Sequence, residues 1–325
     1  MEILLIKSFT DKPWRSPSTF QQIETSLKEK WVVHTIHTTN PALLINKIKT
    51  LQTELKDNLF VFNIAEYLDE ENKSGFIPAL LDDINVLHLG SSAKTARLGL
   101  NKVETKNLLL EEEVPTPRFF VIRDEGDLQK SQINQIGFPL IIKPVFEGGH
   151  IGIHDDSIVH DMDSAQQISH RILNDLHQPA LVEEYIGGAN MREFSVGILD
   201  GVPRLFTPIE IDFNAMDNDR QILSYEAAQD DLEEIKLVPQ GELLDLIIHR
   251  AAHTFDIVGG ADYGRVDLRM DDAECYVLEI NMMPGLGPTS FLPQAAKDIH
   301  SMAYPQLIQK LVQHSMDRQK IKNKH

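Results

Sequence analysis

The chain has 325 residues, too long for one ordinary core and long enough for two or three modules. Its 31 lysines and arginines face 49 aspartates and glutamates, a net charge of −18, which argues against nucleic acid or an anionic membrane as a main partner. No apolar run is long enough for a bilayer, and a single cysteine, Cys275, excludes an internal disulfide or a cysteine-built zinc site. The opening Met1–Ile6 shows neither a basic n-region nor a cleavage site, so a cytoplasmic protein is expected.

In chain order, Glu2–Lys7 predicts a buried strand and Ser18–Lys30 a helix, with Phe20, Ile23 and Leu27 at helical spacing. Trp31–Ile36, Pro41–Leu55 and Leu59–Asn63 continue as strand, helix, strand. That alternation implies a parallel α/β sheet over residues 1–90, with ligands gathering beyond the strand ends, where Asn63–Glu66 lies. A helix over Ser74–Ile84 and a strand over Val86–Leu89 would complete this module. Residues 91–180 read as a second module: one long helix over Lys94–Glu113, strands at Phe119–Ile122 and Pro139–Pro144, and a helix over Ser164–His177. After a strand at Ala180–Tyr185, residues 181–325 read as α+β. Strands are expected there at Glu193–Leu199, Val202–Ile211, Gly264–Met270 and Tyr276–Ile280, with helices at Glu242–Phe255, from near Leu292, and at Pro305–Gln313. The basic run Arg318–Lys324 reads as a frayed helix end.

Gly264–Met270 and Tyr276–Ile280 alternate around Asp271–Glu274, so they predict a β-hairpin. In the register that sets Asp267 opposite Glu279, Arg265 faces Asn281, and Cys275 pairs with Asp271 across a short loop. One face then carries Arg265, Asp267, Glu279 and Asn281, and the other Val266, Leu268, Met270, Tyr276, Leu278 and Ile280. A slip of one residue would send Asp267 and Glu279 to opposite faces. Clustered hard oxygen donors suit magnesium and its phosphates; the bland alternative is a surface hairpin with a wet polar face.

Lys143 ends an apolar strand and is followed by Glu147, Gly148, Gly149, His150 and Gly152, where glycines let backbone N–H groups approach an anion. The same run also fits a plain turn. Lys102, among Lys94, Arg97 and Lys106, reads by spacing as a solvated lysine. Glu183 and Glu184 near a strand end, with Glu193 opening the next, could accept from a ribose or an adenine amine, or could be solvated. Arg265 beside Asp267 is either an ion pair or a stabiliser of oxyanion charge. Pro284–Ser290 would bring backbone amides and a hydroxyl near the metal face, or is a turn into the next helix.

Together these pieces resemble the ATP-grasp superfamily, and within it the D-alanine–D-alanine ligase-like proteins. The similarity runs in order through Leu59–Glu66, Leu89–Lys106, Pro115–Pro117, Phe138–Ile153, Leu181–Glu193 and Gly264–Ser290. The resemblance implies an ATP-grasp fold of three modules, with nucleotide held between the second and third. It implies an ADP-forming ligase that joins a carboxylate to an amine through an acyl phosphate, on amino-acid-like substrates. By the same resemblance Lys102 and Lys143 hold the ATP phosphates beneath the loop of Glu147, Gly148, Gly149 and His150. Glu183, Glu184 and Ile186 would form the hinge at adenine, and Glu193 would meet ribose. Asp267, Glu279 and Asn281 would hold two Mg2+ ions, with Mn2+ able to substitute. Arg265 and the Gly285 amide would stabilise the reacting centre, and Ser290 the second substrate's carboxylate. Glu66, beside Asn63, is the candidate for a substrate amine, and a homodimer through the first module is also implied.

The departures lie on the amino-acid side. Ser8–Pro13 lacks the family's glycine-rich opening turn and its ammonium-holding glutamate. Gly149 and His150 stand where two serines are usual, and Ala228 and Gln229 stand where the lid's lysine and tyrosine are usual. Asn63–Glu66 replaces a His-Gly motif. Rewriting the groups that meet a substrate should change the substrate. Two alternatives are a genuine D-alanine–D-alanine ligase of peptidoglycan synthesis and a nucleotide-binding protein with degenerate ligase activity.

Overall fold

A computed structural model describes residues 1–322 apart from 125, 129, 217–220 and 227–233, so Ala228 and Gln229 lie outside the described residues. The chain opens with β1 (Glu2–Ile6), α1 (Pro17–Lys28), β2 (Val32–Ile36), α2 (Pro41–Leu55) and β3 (Leu59–Phe62), which form a parallel sheet of order β2-β1-β3. Both helices start where the sequence offers a cap followed by proline. The Ser16 hydroxyl accepts from the Thr19 amide before α1, and the Asn40 carboxamide from the Ala42 amide before α2.

Two expectations fail nearby. Ser74–Ile84 is not all helix: a hairpin of β4 (Tyr67–Asp69) and β5 (Ser74–Phe76) precedes α3 (Ile77–Ile84). Pro78 is tolerated only in a first turn, so the helix begins beside it. The strand over Val86–Leu89 shrinks to one bridge between His88 and Val61, because Gly90, at φ 97°, turns the chain away.

The long helix over 94–113 is two helices, α4 (Ala93–Leu100) and α5 (Lys102–Glu111). Asn101 between them is extended and caps α5, its carboxamide oxygen accepting from the Glu104 amide. Lys102 thereby becomes the first residue of α5. The second sheet has order β6-β9-β7-β8, from β6 (Phe119–Ile122), β7 (Leu140–Pro144), β8 (Ile158–Val159) and β9 (Ala180–Glu184). It is covered by α6 (Lys130–Ile136) and α7 (Met162–Asp175), whose Ile133, Ile168 and Ile172 share its core. β9 lies inside this sheet, and the chain passes to the next sheet after Glu184.

The third sheet is antiparallel, of order β12-β11-β10-β13-β14. Its strands are β10 (Arg192–Leu199), β11 (Leu205–Ile211), β12 (Ile235–Leu237), β13 (Tyr263–Met270) and β14 (Cys275–Asn281), backed by α8 (Glu242–Ile257). The strand expected from Val202 starts at Leu205, since Val202 is wholly exposed in a turn. After α9 (Phe291–His300), α10 (Tyr304–Lys322) returns to the first module, where Leu307, Ile308 and Leu311 share a core with Ile3, Leu5 and Phe20. The start of the basic run is not frayed: Arg318 Nε donates to the fully buried Asp262 carboxylate at 2.7 Å.

The metal-face half of the hairpin has the expected register, Arg265 with Asn281, Val266 with Ile280 and Asp267 with Glu279. The distal half does not. A bulge follows, so Leu268 pairs with Val277, and Cys275 with Met270 instead of Asp271. The bulge resets the alternation. Cys275, Val277 and Ile280 all enter the apolar core, while Leu278 joins Glu279 on the polar side and Tyr276 stays partly exposed.

Candidate active site

Two spaces meet at the hairpin. A cleft of about 770 Å³ lies between the first module, the glycine-rich loop and the turn after β14. A narrower one of about 70 Å³ lies between β7 and the third sheet, and His150, Arg265 and Glu279 line both. The smaller space is floored by Lys143 on one side and by Ser195, Asp267 and Leu278 on the other.

Both lysines singled out from the sequence come to this junction. Lys102, 7% exposed at the start of α5, donates through Nζ to the Glu147 carbonyl and lies 3.4 Å from the Glu279 carboxylate. It is not the solvated lysine its spacing implied. The Lys143 ammonium meets the Glu183 carboxylate, whose other oxygen meets the buried Lys106. Lys106 in turn donates to the Thr116 hydroxyl, which donates to the Val277 carbonyl at 2.8 Å. Burial would raise Glu183, but the two lysines hold it below the usual carboxylate range. Burial pushes Lys106 down to about 8, although Glu183 opposes this. Sequence reasoning missed Lys106; only a helix phase that starts at Lys102 shows that it shares a face with that residue.

On the opposing sheet Asp267 accepts from Arg265 Nε at 2.9 Å and from the Ser195 hydroxyl at 2.7 Å. Burial would raise Glu279, but Lys102, Lys143, His150 and Arg265 outweigh it and hold the carboxyl at about 2. Asn281 turns its amide oxygen to the Met283 N–H at 2.9 Å. Among the described residues no group of three His, Cys, Asp or Glu side chains forms a closed metal cage. Two carboxylates and a carboxamide are instead the open, hard-oxygen set that suits a magnesium ion sharing phosphate oxygens. The donor chemistry therefore fits that ion.

The loop reaches over this face. Gly149 and His150 both have positive φ, 60° and 61°, which turns the loop back on itself. Burial lowers His150 below its ordinary value, with Arg265 and Lys102 assisting and Glu279 and Asp267 opposing. Trp14 packs on three glycines. A Cβ on Gly285 would lie 3.0 Å from the Trp14 Cβ, one on Gly287 2.9 Å from its Cα, and one on Gly149 3.7 Å from its indole. Ser290 Oγ would lie 2.8 Å from that same Gly285 Cβ, so Gly285 and Ser290 adjoin at the cleft.

Not every expected residue points inward. Glu184 alternates to the face opposite Glu183 and pairs with Arg118 at 2.8 Å, so its side chain is removed from the site. Ile186 is buried just beyond β9. Glu193 lines the narrow space and meets Arg269 at 3.2 Å; burial raises it although Arg269 opposes this. Asn63 is buried and returns its carboxamide to Ala65, so it shapes the loop while Glu66 alone of that pair lines the cleft. Burial and nearby Glu70 raise the Glu66 carboxyl to about 7, with Arg15 at 3.7 Å opposing.

Two antiparallel sheets, one presenting Lys143 and a glycine-rich loop and the other a carboxylate-bearing hairpin, define an ATP-grasp protein. The D-ala D-ala ligase C-terminus family model matches residues 108–313. Uncharacterized protein y4sG of Sinorhizobium fredii (strain NBRC 101917 / NGR234) is 33% identical over 73% of this chain and 68% of its own length. The D-alanine–D-alanine ligase of Syntrophotalea carbinolica (strain DSM 2380 / NBRC 103641 / GraBd1) is 31% identical over 74% of both chains. In structure, a D-alanine–D-alanine ligase from Bacillus anthracis complexed with ATP superposes with a TM-score of 0.78 over 99% of both chains, at 22% identity. The chain belongs to the D-alanine–D-alanine ligase family. It is an ATP-dependent, ADP-forming ligase of a carboxylate with an amine.

Proposed function

We propose that this ligase acts on amino-acid-type substrates other than a pair of D-alanines, with Mg2+, through an acyl phosphate. One observation carries the chemistry: Asp267 and Glu279 stand directly opposite each other, facing Lys102 and Lys143 at the root of the glycine-rich loop. Asp267, Glu279 and Asn281 would hold magnesium, which when bound neutralises charge on the transferring phosphoryl group. Lys102 and Lys143 would clamp the ATP phosphates, and Glu193 would accept from the ribose. The backbone edge of Glu183, Glu184 and Ile186 would meet adenine. The substrate carboxylate attacks the γ-phosphorus, the amine attacks the resulting carbonyl, and phosphate leaves. Arg265 and the Gly285 N–H would stabilise the oxyanion. The loop residues Glu147, Gly148, Gly149 and His150 would exclude water, since an acyl phosphate hydrolyses.

The cleft supports the substrate reading. It is bordered by Phe9, Trp14 and Tyr67, with Glu66 positioned for an ammonium group and Ser290 for a carboxylate, and it adjoins Lys102, Glu279 and the glycine-rich loop. Relatives named D-alanine–D-alanine ligase support amino acids as the substrate class. A cytoplasmic homodimer joined through the first module completes the proposal; the exposed edge strand β2, with Val32 59% exposed, supports such pairing.

The test is phosphate release from ATP and Mg2+ with single and paired D- and L-amino acids, with products identified by mass. Amide and ADP from a pair other than two D-alanines, with weaker turnover on D-alanine, is expected. Efficient turnover on D-alanine alone would replace this reading with the genuine D-alanine–D-alanine ligase.

A further inference from the structure

The glycine-rich loop is tied to the first module by a residue on the cleft wall to which the scheme above gives no role. Lys73 sits in the turn of the β4–β5 hairpin, at φ 48°, and its ammonium lies 2.9 Å from the Glu147 carboxylate. The other Glu147 oxygen accepts from Gln178 Nε2 at 2.8 Å, which anchors the loop root to the second module. Lys73 is also 3.7 Å from Glu70, Glu70 is 2.8 Å from Arg15, and Arg15 is 3.7 Å from Glu66. On the other side the Glu147 carbonyl accepts from Lys102, which lies 3.4 Å from Glu279. A line of charges thus runs from the cleft residue Glu66, through Lys73, to the metal face. The indole of Trp14 adds a second contact of the first module with the loop, at Gly149.

We propose that Lys73 is a positioning residue that latches the glycine-rich loop to the first module, so that the acyl phosphate is kept under a closed loop until the amine attacks. This rests on the ligase reading above. The latch has a chemical purpose. When water reaches the acyl phosphate, its oxygen bonds to the acyl carbon and the carbon–oxygen bond to the phosphoryl group breaks. Carboxylate, inorganic phosphate and a proton result, and ATP has been hydrolysed with no amide formed. A loop held at Glu147 by two modules at once admits less water than a loop held by one. Lys73 lines the cleft but its ammonium is engaged by Glu147 and Glu70 and is assigned no contact with the nucleotide, so its loss should alter the partition of the intermediate more than the binding of ATP.

The test compares wild type, Lys73→Met and Lys73→Arg in two measurements. The first is the ratio of ADP to amide at saturating substrates. It should be near unity for wild type and Lys73→Arg and rise about threefold or more in Lys73→Met, with the KM for ATP changed by less than about threefold. The second is amide hydrogen exchange in peptides covering residues 146–153, with ATP and Mg2+ present. Exchange should quicken about fivefold or more in Lys73→Met and return to the wild-type rate in Lys73→Arg. Unchanged exchange in Lys73→Met overturns the latch. Quickened exchange with an unchanged ratio overturns its role in guarding the intermediate. If wild type yields no amide from any pair, it is the ligase reading that fails, and exchange still decides the latch.

Discussion

Replacing Glu66 by glutamine separates the cost of that residue from its use. Its carboxyl titrates near 7 in the fold against 4.5 when free of the fold, because burial and Glu70 outweigh Arg15. At about 1.4 kcal/mol per pH unit this difference is about 3 kcal/mol. About a fifth of the side chain remains open to the cleft, 21% by area, so solvent screening reduces the expected figure to about 2 kcal/mol. The sign follows from proton binding. The folded protein holds the proton more tightly than the unfolded chain, so the contribution is complete below pH 4.5 and is lost as pH rises through about 7. Glu66→Gln cannot ionise and escapes that loss. Urea unfolding should therefore show the variant more stable than wild type by about 2 kcal/mol at pH 8.5, with the gap closing toward pH 4.5. Function should move the opposite way, with the KM for the amino substrate up about tenfold or more as a carboxylate–ammonium contact is lost. A stability gap independent of pH would refute the electrostatic reasoning, and an unchanged KM would refute the assignment of the amine.

Glu279→Gln should lower ATP turnover about a thousandfold or more while circular dichroism shows a folded protein; wild-type turnover would mean that the carboxylate face is not the metal site. Since Glu279 titrates at about 2, it should add no inflection to the rate profile between pH 5 and 9. Lys106→Met leaves Glu183 to Lys143 alone, which draws Lys143 away from phosphate. The KM for ATP should rise about tenfold with the KM for the amine little changed, and equal shifts in both would point to a general folding defect. Trp14→Ala opens the wall over Gly285 and Gly287, and should shift kcat/KM toward bulkier carboxylate substrates by about tenfold, read as a change in preference across an acid series.

The residues whose chemistry depends on strict alternation were legible in the sequence. Arg265, Asp267, Glu279 and Asn281 fall on one face because the strands flanking the turn alternate cleanly next to that site. The bulge at Leu278 was not legible: it swaps Val277 for Leu278 on the core face, and both are apolar, so hydropathy carries no mark of it. The break at Asn101 was not legible, because the helical spacing runs on through it, and only that break explains why Lys102 and Lys106 are buried. Glu183 and Glu184 looked equivalent; one is locked between lysines and the other sits on the outer face with Arg118. Lys73 and Trp14 had no local signal, because their partners, Glu147, Gly285 and Gly287, are distant in the chain and are brought near only by tertiary packing.

The central claim is that a substrate carboxylate is phosphorylated before an amine displaces phosphate. Once the amino-acid screen has named a reactive pair, the acid can be supplied with 18O in its carboxylate and the released phosphate analysed by mass. Attack of that carboxylate on ATP, followed by attack of the amine at carbon, carries one labelled oxygen into each phosphate. Unlabelled phosphate alongside full amide formation would contradict the account, since the carboxylate would then have been activated without forming an acyl phosphate.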